Sequence, residues 1–482
     1  MPVLCQAFRE VAAGRADQVA IVDVDDTAIR YGELVALVER LAAGLYAKGV
    51  REGDTVAFAL PNSARYVALI LAVARVGARY VPLMVNFGPE DTRRAIEQST
   101  PVLLVAGREH HVASGAVPVV SLEALAADAP AAPEKAYTGL FRQLWTSGST
   151  GFPKMMVWRQ DKFLTERRRW LADVGIRADD VFYCRHPLDV AHATDLHMFA
   201  ALLSGARLVL ADPADSPAAY LSRLRRSRAT VMSALPAHYE MLVRAAEQDG
   251  GRVDLPAMRL PMCGGAYLSP AVVRAAAERL GIHIRQIYGS TEFGIAAGNM
   301  ADEPQTDGSV TAVQGVGMRI APLVDGHWDV GELVLQSACT SEGYLFADEA
   351  NRRTFRGGEF WTGDVAQRTG AGAVRVIGRV SEVLTAATGP LPAPLLDAEC
   401  VAACPGSEVV CLPAEPGKLS DRVIVVIDAG AAPAAEVTGR VEEILARHRL
   451  RADLHVVEDI PHTPVGKVDK PALRRLFALA SR

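Results

Sequence analysis

The densest chemistry in this chain lies in LWTSGSTGFPK, Leu144 to Lys154, where an apolar run gives way to hydroxyls, glycines and a lysine. Glycines let a backbone turn its N–H groups inward, the hydroxyls of Thr146, Ser147, Ser149 and Thr150 add donors, and Lys154 adds a compact positive charge. Those are the parts of a phosphate pocket. The run is not a Walker A loop, because G-x-x-x-x-G-K-[ST] occurs nowhere in the sequence. Taken alone, it also reads as a Ser/Gly-rich surface turn.

Three later segments supply what a nucleotide site still lacks. QIYGSTEFG, from Gln286, offers the aromatic face of Tyr288, the hydroxyl of Thr291 and the hard carboxylate of Glu292, suited to Mg2+; its structural alternative is a strand, a turn and an acid favoured at a helix start. FWTGDVAQ, followed by VIGRV, sets Asp364 after a turn glycine with Arg379 fifteen residues on. PHTPVGKVDK carries Lys467 on a Gly-Pro loop that a helix cannot hold. In this order the four segments closely resemble the signature set of the acyl-adenylate-forming superfamily, which includes acyl-CoA synthetases, aryl-acid ligases and the adenylation domains of peptide synthetases. The resemblance extends from the helix start at Tyr31, Glu33 and Leu34 to Leu473.

That resemblance implies formation of an acid–AMP mixed anhydride from ATP with Mg2+, followed by displacement of AMP by an acceptor nucleophile. Under it, Thr146, Ser147, Gly148, Ser149, Thr150, Gly151 and Lys154 bind the β- and γ-phosphates and release pyrophosphate. Gly264, Gly265 and Ala266 floor the adenine and substrate pockets, Tyr288, Gly289 and Ser290 line the nucleotide, Thr291 meets the α-phosphate and Glu292 the metal. Asp364 takes the ribose hydroxyls with Arg379 in support, Ser381 occupies the hinge, and Lys467 brings positive charge to the pentavalent centre. The stretch AHATDLHMFAALLSGARL, Ala191 to Leu208, resembles the segment whose second residue is an aspartate in enzymes that grip an α-amino group. Here that residue is His192, which cannot act as a full counter-charge to ammonium, so a small aryl or other simple acid is expected and an α-amino acid is not. Asp195, with Asp189 and His197, makes the neighbourhood polar; charges at a helix start facing solvent are the alternative reading.

The chain also departs from the superfamily pattern. Met155 stands where a glycine usually follows the loop lysine, Ser381 replaces a charged hinge residue, Thr385 replaces a lysine, Pro390 and Pro392 are unusual, and Leu396 replaces a glutamate. In thioester-forming relatives this stretch lines the pantetheine channel, so CoA is expected to be a poor acceptor. Three other readings stay open: an acid–CoA ligase, a diazotase that activates nitrite for capture by an aromatic amine, and a nucleotide-binding pseudo-enzyme. The mark of the last would be loss of Lys467, Glu292 or Asp364, and all are present. No carrier-type serine module is recognisable, so any carrier protein acts in trans.

The elements that must position these residues are those of an α/β chain. Leu34, Leu37, Val38, Leu41 and Leu45 share a helical face, Thr55 to Leu60 reads as a buried strand, Asn62 is placed to cap the apolar helix that follows, and Gly77 closes that helix. Further strands are expected at Tyr80 to Leu83, Ala206 to Leu210, Ala229 to Ser233, Arg259 to Cys263 and His283 to Tyr288, several ending where a motif begins. From Gly331 short strands with glycine turns suggest a small β subdomain, and after Arg379 comes a compact α+β tail. The expected fold is a large N-terminal domain, residues 1–379, of layered, mainly parallel sheets with helices plus that β subdomain, and a small mobile α+β domain, residues 380–482, carrying Lys467.

Composition narrows the classes further. The 482 residues exceed one ordinary domain, and a net charge of −5 gives no basic footprint for nucleic acid. The longest strongly apolar stretch, Tyr66 to Ala74, falls well short of the roughly 20 residues that span a bilayer. Seven scattered cysteines without a C-x-x-C pair, and no charged-then-apolar leader, suggest reduced thiols in a cytoplasmic protein. Of 51 basic residues only seven are lysines, so Lys154 and Lys467 inside two motifs point to sites that want a point charge on a flexible stem.

Overall fold

The computed structural model describes residues 2–84, 87–107, 117–126, 129–146, 152–266, 268–300, 307–370, 372–462 and 468–478. The chain forms two compact units, one of Met1–Pro304 with Val313–Gly315 and Ser337–Arg352, the other of Gln305–Ala312, Val316–Gln336 and Arg353–Arg482.

In the first unit, a seven-stranded sheet has the order Tyr344–Leu345, Lys154–Arg159, Leu140–Thr146, Arg79–Pro82, Thr55–Ala59, Leu103–Ala106, Val119–Val120. Its pairs are parallel from Leu140–Thr146 onward and antiparallel at the Tyr344 edge. A second set of strands runs Gly294–Gly298, Arg285–Ser290, Leu260–Cys263, Val231–Ala234, Val181–Cys184, Arg207–Leu210, Val19–Val22, antiparallel at the Gly294 end and parallel through the rest. The expected strands therefore form, displaced by one or two residues at their ends.

Helix Tyr31–Ala47 begins with a one-sided cap in which Arg30 N donates to the Glu33 carboxylate at 2.7 Å, and it buries Leu34, Val38, Leu41 and Leu45 while Leu37 is only partly covered. Helix Ala64–Val76 is buried along nearly its whole length, which explains its apolar sequence without a membrane, and Gly77 closes it at φ +81°. Among the described residues no helix is long and apolar enough to cross a membrane.

Asn62 is not the cap of that helix. Ser63 holds the position, its hydroxyl accepting from Tyr66 N at 3.1 Å, because the residue flanking the first turn must be extended and short enough to reach back to it. Asn62 instead donates to His186 O at 2.9 Å and accepts from Leu188 N at 2.8 Å, pinning the loop beyond strand Val181–Cys184.

The second unit contains the antiparallel strands Gly317–Pro322, Val330–Gln336, Glu359–Gly370 and Ala373–Arg379. It continues into the hairpin Val383–Ala386 and Gly389–Pro392, then into a three-stranded sheet of Glu408–Pro413, Arg422–Asp428 and Arg451–Val457. Helices Ala393–Ala403 and Ala434–Arg447 bury Leu396, Cys400, Val441 and Ile444 against that sheet. Leu396 thus serves the core in place of the superfamily's glutamate. Gly378 comes so near Pro394 that a Cβ there would sit 3.2 Å from its Cγ, so the small β subdomain groups with the C-terminal segment and residue 380 lies within this unit.

Candidate functional site

Strands Leu140–Thr146 and Lys154–Arg159 form a hairpin with Thr146 opposite Lys154. Ser147, Gly148, Ser149, Thr150 and Gly151 belong to its connection and lie outside the described residues. Thr146 is buried and Lys154 exposed. Met155, opposite Trp145, is buried in the same apolar cluster, so the superfamily's glycine position is filled here by a core side chain.

The second motif is anchored to this hairpin. Trp158 Nε1 donates to the carbonyl of Thr291 at 2.8 Å, and Tyr344 Oη donates to Glu292 Oε1 at 2.7 Å. Lys154 Nζ lies 5.1 Å from the centre of the Tyr344 ring. Glu292 forms no ion pair among the described residues, which leaves a hard carboxylate of the kind Mg2+ takes. Tyr344 was not legible in the sequence: its partners stand 52 and 190 positions away, and a single Gly-Tyr pair carries no local pattern.

Tyr288, Gly289 and Ser290 close strand Arg285–Ser290, which turns back through Gly294–Gly298. Gly289 is obligatory because a Cβ there would lie 2.5 Å from Gly294 O. Ser290 Oγ is buried without a hydrogen-bond partner among the described residues. Beyond the neighbouring strand Leu260–Cys263, Gly264 would place a Cβ 2.9 Å from Ile287 Cγ1, Gly265 adopts φ +79°, and Ala266 is partly exposed. These glycines keep the strand ends close and bare at the rim where α/β folds take their ligands.

His192 lies on the short helix Ala191–Ala193, which widens into a π turn at Thr194–Met198. Its Nε2 is 2.9 Å from Ser233 Oγ, and its ring lies 4.1 Å from His186 and 5.9 Å from His197, centre to centre. His238 is 4.8 Å from His186. His197 accepts from Ser233 N at Nε2 and is 3.1 Å from His192 O at Nδ1, which fixes a neutral ring with the proton on Nδ1. Burial, reinforced by the neighbouring imidazoles, pulls His186 well below the usual range and His197 down to about 3. Burial, with Arg185 beside it, brings His238 to about 4. The four-histidine character was only half legible, because His186 and His238 come from other strand ends.

Asp195 is held by partners of its own. Both of its carboxylate oxygens accept from the fully buried Arg142, one at 2.9 Å from Nη2, and Thr194 Oγ1 donates to it at 2.9 Å. Asp189 and His197 are buried rather than solvated. Arg167, paired with Glu166, donates to Asp195 O at 3.0 Å, while Glu166 accepts from Ile295 N at 3.0 Å. This ionic network thus joins the π turn to the strand that follows Glu292.

In the second unit, Asp364 and Arg379 are direct cross-strand partners, with Arg379 Nη1 2.6 Å from Asp364 Oδ1. Thr362 Oγ1 accepts from Asp364 N at 2.9 Å, and Glu332 accepts from Gly363 N at 3.0 Å. Ser381 sits in the 3-10 turn Val380–Glu382, and Glu382 pairs with Lys470 Nζ at 2.9 Å. Lys467 lies outside the described residues; His462 and Val468 on either side of its segment form a bridge, and Asp469 N donates to Pro461 O at 2.7 Å.

Comparison with known proteins agrees with this arrangement. Residues 8–345 match the model of the AMP-binding enzyme family. A feruloyl-CoA synthase from an Amycolatopsis species is 28% identical over 471 residues, covering 94% of each chain. The amide bond synthetase McbA from Marinactinospora thermotolerans is 25% identical with a TM-score of 0.81, over 98% of this chain and 99% of that one. ATP-bound MatB from Rhodopseudomonas palustris, at 24% identity, shares the fold with a TM-score of 0.85 over 99% and 100%. The chain belongs to the AMP-binding enzyme family and is an ATP-dependent, adenylate-forming ligase that releases AMP.

Proposed function

We propose that this ligase activates a small acid, aryl rather than α-amino, as its acyl adenylate and passes the acyl group to a small nucleophile such as an amine. The observation that carries this reading is the set of imidazoles gathered around His192 and Ser233, of which His186 and His197 are held neutral by burial. An ammonium group needs a carboxylate counter-charge, and the nearest candidate in that segment, Asp195, is already neutralised by Arg142. The half-buried His192 imidazole, beside the Ser233 hydroxyl, offers a hydrogen bond to an acid or its ring substituents instead.

In this proposal Thr146, Ser147, Gly148, Ser149, Thr150, Gly151 and Lys154 hold the departing pyrophosphate, and Gly264, Gly265, Ala266, Tyr288, Gly289 and Ser290 hold the adenosine. Thr291 donates to the α-phosphate, Asp364 with Arg379 holds the ribose, and Lys467, carried by a mobile segment 380–482 hinged at Ser381, meets the charge that develops at phosphorus. Glu292 would hold Mg2+, which would mask phosphate charge when bound; its hard carboxylate, in no ion pair among the described residues, fits that ion. A carrier-protein thiol in trans is a further possible acceptor. A second reading, an acid–CoA ligase, is favoured by the feruloyl-CoA synthase relative.

The test is acid-dependent pyrophosphate exchange and AMP release, screened over aryl, aliphatic and α-amino acids, with amines, thiols and nitrite plus arylamines as second substrates. Aryl acids are expected to drive exchange. Exchange driven by α-amino acids alone overturns the proposal, and nitrite-dependent consumption of an arylamine points to diazotisation instead.

A further inference from the structure

Lys154 and Glu292 carry opposite charges, and both address one side chain, Tyr344. A direct pair between them would withdraw the lysine from phosphate and the carboxylate from metal. Tyr344 offers each of them a separate surface. Its hydroxyl donates to Glu292 Oε1 and so orients the carboxylate's other oxygen, while its ring faces the lysine.

The tyrosine is itself tightly fixed. Asn351 accepts from Tyr344 N at 2.7 Å and donates to Tyr344 O at 2.7 Å, closing a two-point clamp on its backbone. Strand Tyr344–Leu345 pairs with Met156 and Met155, next to Lys154, and Val157 N donates to Gly343 O at 3.2 Å. Ser341 N donates to Glu292 O at 3.1 Å, so the same short strap holds the main chain of the carboxylate residue. Gly343, at φ +94°, lets the strap approach Asn351, where a Cβ would lie 2.8 Å from Oδ1.

We propose that Tyr344 is a positioning residue that sets the Glu292 carboxylate for Mg2+ and keeps Lys154 free for phosphate, with Asn351 as its clamp. This rests on the reading of Glu292 as the metal ligand. Tyr344→Phe removes only the hydroxyl, and Tyr344→Leu removes the ring as well.

The experiment is calorimetric titration of ATP into the full chain with and without Mg2+, beside the Mg2+ dependence of pyrophosphate exchange, for these variants and Glu292→Gln. Losing a group that orients a metal ligand typically weakens metal affinity by about 10- to 100-fold, so Tyr344→Phe is expected to raise the half-saturating Mg2+ concentration about 10-fold while metal-free ATP affinity holds. Tyr344→Leu is expected to weaken metal-free ATP binding too, because Lys154 is then drawn to Glu292. If Glu292→Gln shifts the Mg2+ dependence and Tyr344→Phe does not, the Tyr344 proposal fails alone. If Glu292→Gln shifts nothing, the reading of Glu292 fails and takes the proposal with it. Equal losses with and without Mg2+ in Tyr344→Phe assign Tyr344 a merely structural part and overturn it.

Discussion

His192 and Asp195 lie one helical turn apart and had the same polar signature in the sequence, yet they part company in the fold. Asp195 is claimed by Arg142, 53 positions away, in a buried two-point ion pair, whereas His192 joins Ser233 and three other imidazoles. Changing His192 to Ala is therefore expected to raise the acid's apparent KM with little effect on ATP affinity; unchanged kinetics with the best acid would return it to a structural part. Lys467→Ala is expected to lower acid-dependent pyrophosphate exchange by about 10² to 10³ while calorimetric ATP binding persists, since one preorganised contact made only in the transition state is lost. Wild-type exchange in that variant removes Lys467 from the mechanism. What was legible at this scale was where the dense motifs lie and which family they mark. What was not was the long-range partner, Tyr344 or Arg142, because sequence spacing says nothing about contacts across a sheet.

At the scale of elements, hydrophobic periodicity located the helices and strands well, since burial of one face is what the pattern encodes. It failed at caps. Asn62 and Ser63 both qualify by residue type, and only the extended backbone at Ser63 and the competing bonds of Asn62 to His186 and Leu188 decide between them. The hairpin of Val383–Ala386 and Gly389–Pro392 shows the converse, with unusual residues that were plain in the sequence and carry a consequence. Pro390 lies opposite Thr385 and Pro392 opposite Val383, so this strand keeps N–H groups only at Gly389 and Leu391. Gly389, at φ +115°, is also crowded by His327, whose Cε1 would lie 2.3 Å from a Cβ. An edge short of donors is a poor wall for a pantetheine amide chain, and Thr385 supplies no lysine in compensation. CoA is therefore expected to be a poor acceptor even where adenylation is fast. Mass detection of a thioester alongside AMP release, with and without CoA, checks this, and robust thioester turnover restores the acid–CoA ligase reading.

Over the whole molecule, the two units carry desolvated titratable groups whose protonation responds to folding in opposite senses. In the first, His197 and His238 are held near 3 and 4, below the ordinary 6.5, so folding favours their neutral forms. Their contribution is complete above about pH 6.5 and is lost progressively as pH falls toward those values, because the unfolded chain binds protons first. In the second unit, Asp397 is half-buried beside Cys411, whose N–H donates to it at 2.6 Å, and desolvation pushes its carboxyl up to about 7 from an ordinary 3.8. Folding there favours the protonated acid, a contribution complete below about 3.8 and lost as pH rises through 7. Division into two compact units makes separate transitions the natural expectation. Scanning calorimetry between pH 5 and 7.5 is expected to show one transition falling on acidification and another rising. Asp397→Asn should flatten the pH response of the rising transition alone, and His238→Asn should reduce the slope of the falling one. Transitions that both fall on acidification, with slopes unaltered by Asp397→Asn, would show that these groups do not set the pH response of the fold.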